Sequence, residues 1–163
     1  MKAFHRGSRL IAMAAAGLLF GGCAFTPITP GMSREQVLAS YGAPTRVVPL
    51  AAGTRLQYSG QPLGRFANMV DLDAAGKVVS ARQVLTPAEF SRIQPGQWSR
   101  ADMEREFGRP ASIDHVASWQ GDIMTYRWQD NIMNMFFYAY LDGNNVVQRT
   151  GQGIDFPNRD ERD

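Results

Sequence analysis

Pro30-Gly31-Met32-Ser33-Arg34-Glu35-Gln36-Val37-Leu38-Ala39-Ser40-Tyr41-Gly42-Ala43-Pro44 decides the fold, because the chain repeats it as Pro95-Gly96-Gln97-Trp98-Ser99-Arg100-Ala101-Asp102-Met103-Glu104-Arg105-Glu106-Phe107-Gly108-Arg109-Pro110. Pro-Gly, Ser-Arg, an aromatic residue and Gly-x-Pro recur in order, with one residue added beside Trp98. A fixed order recurring over this length marks an internal structural repeat. Each copy predicts a short helix. Ser33 and Ser99 stand as N-caps, with Gln36 and Asp102 three residues later to answer the cap's own amide. Val37, Leu38 and Tyr41 make one apolar stripe, Met103 and Phe107 the matching one. Gly42 and Gly108 suit the position just past a helix end, and the prolines two residues on prevent continuation.

Outward from these helices, Thr86-Pro87-Ala88-Glu89 predicts a preceding helix in the second copy, with proline at its first position. Thr26-Pro27-Ile28 is a stunted counterpart in the first. Strands are predicted downstream. Thr54 to Ser59 matches Met124 to Gln129 with Tyr58 opposite Trp128, Phe66 to Asp73 matches Met135 to Asp142, and Val78 to Leu85 matches Val146 onward. Leu72-Asp73 and Val78-Val79, like Leu141-Asp142 and Val146-Val147, bracket a polar turn and signal a hairpin. The expected fold class is α+β: two tandem helix-helix-strand-strand-strand units, with helices packed on one face of small antiparallel sheets.

The N-terminus carries a separate signal. Lys2, Arg6 and Arg9 precede the apolar run Leu10 to Phe20, which at eleven residues is too short to span a bilayer and reads as the core of a signal peptide. It ends in Leu19-Phe20-Gly21-Gly22-Cys23, which resembles the lipobox of bacterial lipoproteins. That resemblance implies cleavage before Cys23 and three acyl chains on it, which is stable anchoring in a lipid bilayer. Ala24 in place of Asp implies the outer membrane, facing the periplasm. Residues 1–22 hold 3 of the 17 Lys and Arg and none of the 15 Asp and Glu, so the processed chain has a net charge of −1. Such a balance points neither to nucleic acid nor to a polybasic membrane patch. Cys23 is the only cysteine, so an acylated chain has no disulfide and holds together by packing.

Ile28-x-Pro30-Gly31-Met32-Ser33-Arg34-Glu35-Gln36-Val37-Leu38, then Gly42-Ala43-Pro44-Thr45, an aromatic at Tyr58 and an Asp73-x-x-Gly76 hairpin resemble the SmpA/OmlA (BamE-like) outer-membrane lipoprotein domain family. The resemblance covers both copies, and implies a non-enzymatic interaction module in envelope or β-barrel outer-membrane protein assembly, with envelope proteins such as the β-barrel assembly machinery as partners. The family pattern has one domain and this chain has two. The tandem arrangement also resembles the β-lactamase inhibitor proteins, which implies an alternative: a periplasmic protein-binding or inhibitor lipoprotein with an unrelated target. The domain organisation read on this basis is a signal peptide at 1–22, a lipidated N-terminus and linker at 23–27, repeats at 28–86 and 87–157, and a polar tail at 158–163.

No catalytic or cofactor motif emerges. His115 is the one histidine beyond the signal peptide and has no clustered metal-ligand partner in sequence. Asp71 and Asp73 share a strand face at a hairpin, where solvation and capping of the turn account for them better than acid–base work. No cofactor and no metal site are expected. The stretch Ile132 to Leu141 is the unusual one. Alternation places Met133, Met135, Phe137, Ala139 and Leu141 on one face and Phe136, Tyr138 and Tyr140 on the other, where a half-covered sheet ordinarily shows polar residues. Phe136, Tyr138 and Tyr140 are the predicted partner-binding residues, since such side chains are favoured in interface cores. In the first copy the same face carries Ala67, Met69 and Asp71.

Overall fold

A computed structural model describes residues 27–156. The signal peptide 1–22, Cys23 and the tail 158–163 lie outside the described residues. Element order is α1 (Arg34–Tyr41), β1 (Arg46–Leu50), β2 (Gly53–Ser59), β3 (Ala67–Asp73), β4 (Val78–Gln83), α2 (Pro87–Phe90), α3 (Arg100–Phe107), β5 (Ser112–Asp114), β6 (Ile123–Asp130), β7 (Met133–Leu141) and β8 (Val147–Ile154). The strands form two four-stranded antiparallel meanders, β1-β2-β3-β4 and β5-β6-β7-β8.

This overturns the expected helix-helix-strand-strand-strand units. The described chain is mostly β, about 44 % strand and 15 % helix. Each unit has a fourth strand, β1 or β5, at the edge of its sheet. The sequence hides these strands because an edge strand needs no apolar alternation: β5 is exposed at all three positions and β1 buries only Val48. The first unit has a single helix, since residues 27–29 run irregularly into the Pro30-Gly31 turn. The helices do not form a layer over one face either. α2 is a single turn, and α3 lies between the two sheets.

The caps form as the spacing predicts. Ser33 and Ser99 each close a reciprocal capping box with Gln36 and Asp102. Upstream, Gly31 donates to the Val78 carbonyl and Val78 to that of Met32, while Gly96 donates to Val147 and Val147 to Trp98. Met32 and Trp98 are therefore equivalent, and the added Gln97 is absorbed in a turn closed on the Gln94 carbonyl.

The two sheets share fine details that set their correspondence. A register shift falls between Asp71 and Leu72 in one and between Tyr140 and Leu141 in the other. Gly53 and Gly121 both have positive φ, and a Cβ on either would lie 1.9 or 2.1 Å from the Leu72 or Leu141 carbonyl oxygen, so only glycine fits there. The Tyr58 hydroxyl donates to Gly42 O and the Tyr126 hydroxyl to Gly108 O, both at 3.1 Å. Tyr58 thus corresponds to Tyr126, not to Trp128 as the sequence pattern suggested; two aromatics at alternate positions of β6 left the register ambiguous. Burial blocks ionisation of Tyr126 and raises its phenol far above the ordinary value.

Two cores result. Val37, Leu56, Tyr58, Val70, Leu72 and Val78 pack under α1 on one face of the first sheet. The larger core joins Met103 and Phe107 of α3 and Phe90 of α2 to Met124, Tyr126, Trp128, Phe137, Ala139 and Leu141 of the second sheet, and extends to Ala67 and Met69 on the other face of the first. Layers therefore run α1, first sheet, α2 with α3, second sheet.

A polar network fastens α3 to the first sheet. Arg55, 4 % exposed, donates to both Asp71 carboxylate oxygens at 2.6 and 2.9 Å, to Glu106 at 2.9 Å and to the Arg105 carbonyl at 3.0 Å. Gln57 Nε2 donates to the Glu104 and Arg105 carbonyls, each at 3.0 Å. Arg105 O is one of the carbonyls a helix C-terminus leaves without an intrahelical partner, whereas Glu104 O also accepts the Gly108 amide. Arg46 adds an ion pair to Glu104 at 3.0 Å. Burial opposes ionisation of Asp71 and Glu106, but the Arg55 hydrogen bonds and charge override it and hold both carboxyls below their usual range.

Candidate partner-binding face

The second sheet buries Phe137, Ala139 and Leu141 against α3 and turns the alternate residues of β7 outward. Three cross-strand rows build that outer face: Ile123, Tyr140, Arg149; Thr125, Tyr138, Gly151; Arg127, Phe136, Gly153. Phe136, Tyr138 and Tyr140 are brought together as predicted from alternation. Their rings form a ladder with centroids 6.0 and 6.4 Å apart, and each is half-buried.

Glycines and arginines shape the face. A Cβ on Gly153 would lie 3.4 Å from the Tyr138 hydroxyl, and one on Gly151 would lie 3.6 Å from the Tyr140 ring, so β8 without side chains there lets the rings lie over its backbone. Arg149 sits 3.9 Å above the Tyr140 ring centroid and 5.1 Å from that of Trp119. Trp119 meets Tyr140 edge-on at 5.4 Å and is pinned by its indole N–H, which donates to Leu141 O at 2.7 Å. Arg127 lies 5.6 Å from the Phe136 centroid. Such cation–π placements contribute about 0.5–1 kcal/mol each at exposed sites.

Polar groups around the face are unequally engaged. Asp155, buried at the end of β8, takes ion pairs from Arg127 at 3.2 Å and from Arg65 of the first unit at 2.8 Å. Asp114 accepts from the Ser112 and Thr125 hydroxyls at 2.8 and 3.0 Å. Arg149 has no carboxylate within 4.0 Å among the described residues. Burial raises the Tyr138 phenol, helped by Tyr140, Asp155 and Asp114. Between these groups lies a cleft of about 320 Å³, lined by Asp114, Ile123, Thr125, Tyr138, Tyr140 and Arg149 among others.

Other residues singled out in the sequence fall elsewhere. Cys23 lies outside the described residues. His115 is exposed and 3.3 Å from Asp122. Asp71 is held by Arg55, while Asp73 accepts the Ala75 and Lys77 amides across its turn, so the two carboxylates work apart. No group of three or more His, Cys, Asp or Glu that could hold a metal occurs among the described residues. Sequence reasoning missed Trp119, Arg127 and Arg149. The Gly151-x-Gly153 alternation in β8, facing an alternating aromatic strand, was the available signal for the ring ladder; Trp119 had none, because a loop carries no periodicity.

No protein-family model matches the chain, and no curated protein matches it in sequence. Among solved structures, the chain is similar to a DUF4309 family protein (YjgB) from Bacillus subtilis subsp. subtilis str. 168, at 13 % identity and a TM-score of 0.33, over 76 % of this chain and 78 % of that one.

Proposed function

We propose that this chain is a lipid-anchored, non-enzymatic interaction module of the cell envelope that presents the outer face of its second sheet to a protein partner. One observation carries the reading. The same face of the first sheet is covered by α3, whereas on the second sheet no helix among the described residues covers the half-buried aromatic ladder and its two flanking arginines. Tyr and Arg are enriched among interface hot spots, and Phe in interfaces generally. The lipobox at Cys23 supplies the anchor, and the SmpA/OmlA-like repeat supports a partner within outer-membrane protein assembly.

The test is co-purification of the full chain from native membranes in mild detergent, with Tyr138→Lys as control. Recovery of β-barrel assembly proteins with the wild type and their loss with the variant support the reading. Recovery of one unrelated periplasmic enzyme favours an inhibitor. Equal recovery with both chains overturns the assignment of the face. Release from membranes on Cys23→Ala tests the anchor separately.

A further inference from the structure

The first sheet shows what this surface binds when it is covered. Asp114, Ile123, Thr125, Tyr138, Tyr140 and Arg149, which line the open cleft, stand at the positions of Val48, Arg55, Gln57, Met69, Asp71 and Ser80 in the first sheet. Of these, Arg55 and Gln57 hold the C-terminal carbonyls of α3, and Asp71 holds Arg55 in place. The cleft therefore occupies, in the second sheet, the place that receives a helix end in the first, with Ile123, Thr125 and Tyr140 where the first has Arg55, Gln57 and Asp71.

The repeat also provides the missing helix. Among the described residues, layers start with α1 and end with the second sheet, so a helix lies at one end of the stack and the open cleft at the other. Aligned on Gly42 and Gly108, the α3 residues Glu104, Arg105 and Glu106 correspond to Leu38, Ala39 and Ser40 of α1. Ala39 and Ser40 are exposed. The chemistry changes in step on both sides. In the internal contact, acidic Glu104 and Glu106 meet Arg46, Arg55 and Arg82. At the open ends, Leu38, Ala39 and Ser40 are neutral, and the cleft offers the half-buried rings of Tyr138 and Tyr140 beside exposed Arg149. The cleft retains hydrogen-bond donors suited to helix-end carbonyls in the Tyr138 and Tyr140 hydroxyls and in Arg149. Arg149 also suits the negative end of a helix dipole.

We propose that the open cleft receives the C-terminal end of α1 from a second copy, so that copies stack head to tail. This rests on reading the open face as a docking surface and names its occupant. A heterologous contact of this kind does not use the same patch twice, so it extends into chains of copies unless the rotation closes a ring.

The test mixes two variants. Tyr138→Lys disables the cleft while its long stem still covers β8; Arg149→Glu, at an exposed position, does so without touching a buried ring. Ala39→Lys disables the helix end on an exposed surface. Sedimentation of the whole chain in detergent is expected to show concentration-dependent assemblies larger than a dimer for the wild type, and monomers for each variant alone. An equimolar mixture of Tyr138→Lys with Ala39→Lys restores one intact pair and is expected to give a heterodimer and nothing larger. Arg149→Glu mixed with Ala39→Lys leaves the same pair intact, α1 of the first with the cleft of the second, and is expected to dimerise as tightly as the Tyr138→Lys mixture. A monomeric wild type, or a mixture of the variants that remains monomeric while the wild type associates, overturns the proposal. Loss of an envelope partner with Tyr138→Lys in a protein that never self-associates overturns it while leaving the interaction-module reading in place.

Discussion

Arg55→Met tests how the two units are joined. The substitution removes four hydrogen bonds, two to Asp71, one to Glu106 and one to the Arg105 carbonyl, and leaves two carboxylates whose side chains are only 14 % exposed. Breaking a buried pair by deleting one partner costs about 3–5 kcal/mol. Asp71 keeps the Ser80 hydroxyl at 3.3 Å, and Glu106 keeps Arg105 at 3.2 Å and Arg82 at 3.7 Å, which puts the loss at the lower end, about 3 kcal/mol. With a urea slope of about 2 kcal/mol/M, the midpoint falls by about 1.5 M. All three tryptophans, Trp98, Trp119 and Trp128, lie in the second unit, while Arg55 lies in the first. Since α3 is shared by both sheets, the tryptophan fluorescence transition is expected to move together with far-UV circular dichroism. Replacing the whole cluster, as Arg55→Met with Asp71→Leu and Glu106→Leu, should recover most of the loss, because no charge is left stranded. A loss under about 1 kcal/mol, or fluorescence that stays put while circular dichroism shifts, would refute a buried network coupling the units.

Three further outcomes follow from local geometry. Ser33→Ala and Ser99→Ala each remove a reciprocal capping box and should cost about 1 kcal/mol in urea unfolding; no change at both would show that tertiary packing alone fixes the helix starts. Tyr126→Phe strands the Gly108 carbonyl in the core and is expected to cost about 1–3 kcal/mol, more than Tyr58→Phe at its less enclosed equivalent, as read from paired melting curves. Asp71 and Glu106 are held below their unfolded pKa, near 4, so their stabilisation is complete above that value and disappears as pH falls through the lower folded values. The urea midpoint should hold from about pH 7 to about pH 5 and then drop, and Asp71→Asn with Glu106→Gln should flatten the drop; an unchanged acid limb in that variant would locate the acid sensitivity elsewhere.

Much of the local structure was legible. Ser33 with Gln36 and Ser99 with Asp102 name their own helix starts, because a cap is made by residues three apart and needs nothing distant. The Asp73 and Asp142 turns are local in the same way: each aspartate accepts amides two and four residues on. Alternation along β7 separated Phe137, Ala139 and Leu141 from Phe136, Tyr138 and Tyr140, because side chains in a strand must point to opposite faces. Edge strands β1 and β5 escaped, because β5 buries no residue and β1 only Val48, too little to impose a pattern. The pairing of Tyr58 with Tyr126 escaped because it depends on a hydroxyl reaching the end of a helix, not on spacing along the strand.

What the sequence determined by itself, then, was the twofold repeat, the capped helices, the hairpin turns and the aromatic composition of one strand face, all consequences of interactions within a few residues. Only the tertiary structure decided that α3 closes the first sheet and that, among the described residues, no helix closes the second. That outcome depends on Arg55, Gln57 and Asp71 meeting the end of a helix about fifty residues later in the chain. A buried guanidinium is stable only where carboxylates and carbonyls converge on it from different elements, and such convergence leaves no periodic trace in sequence.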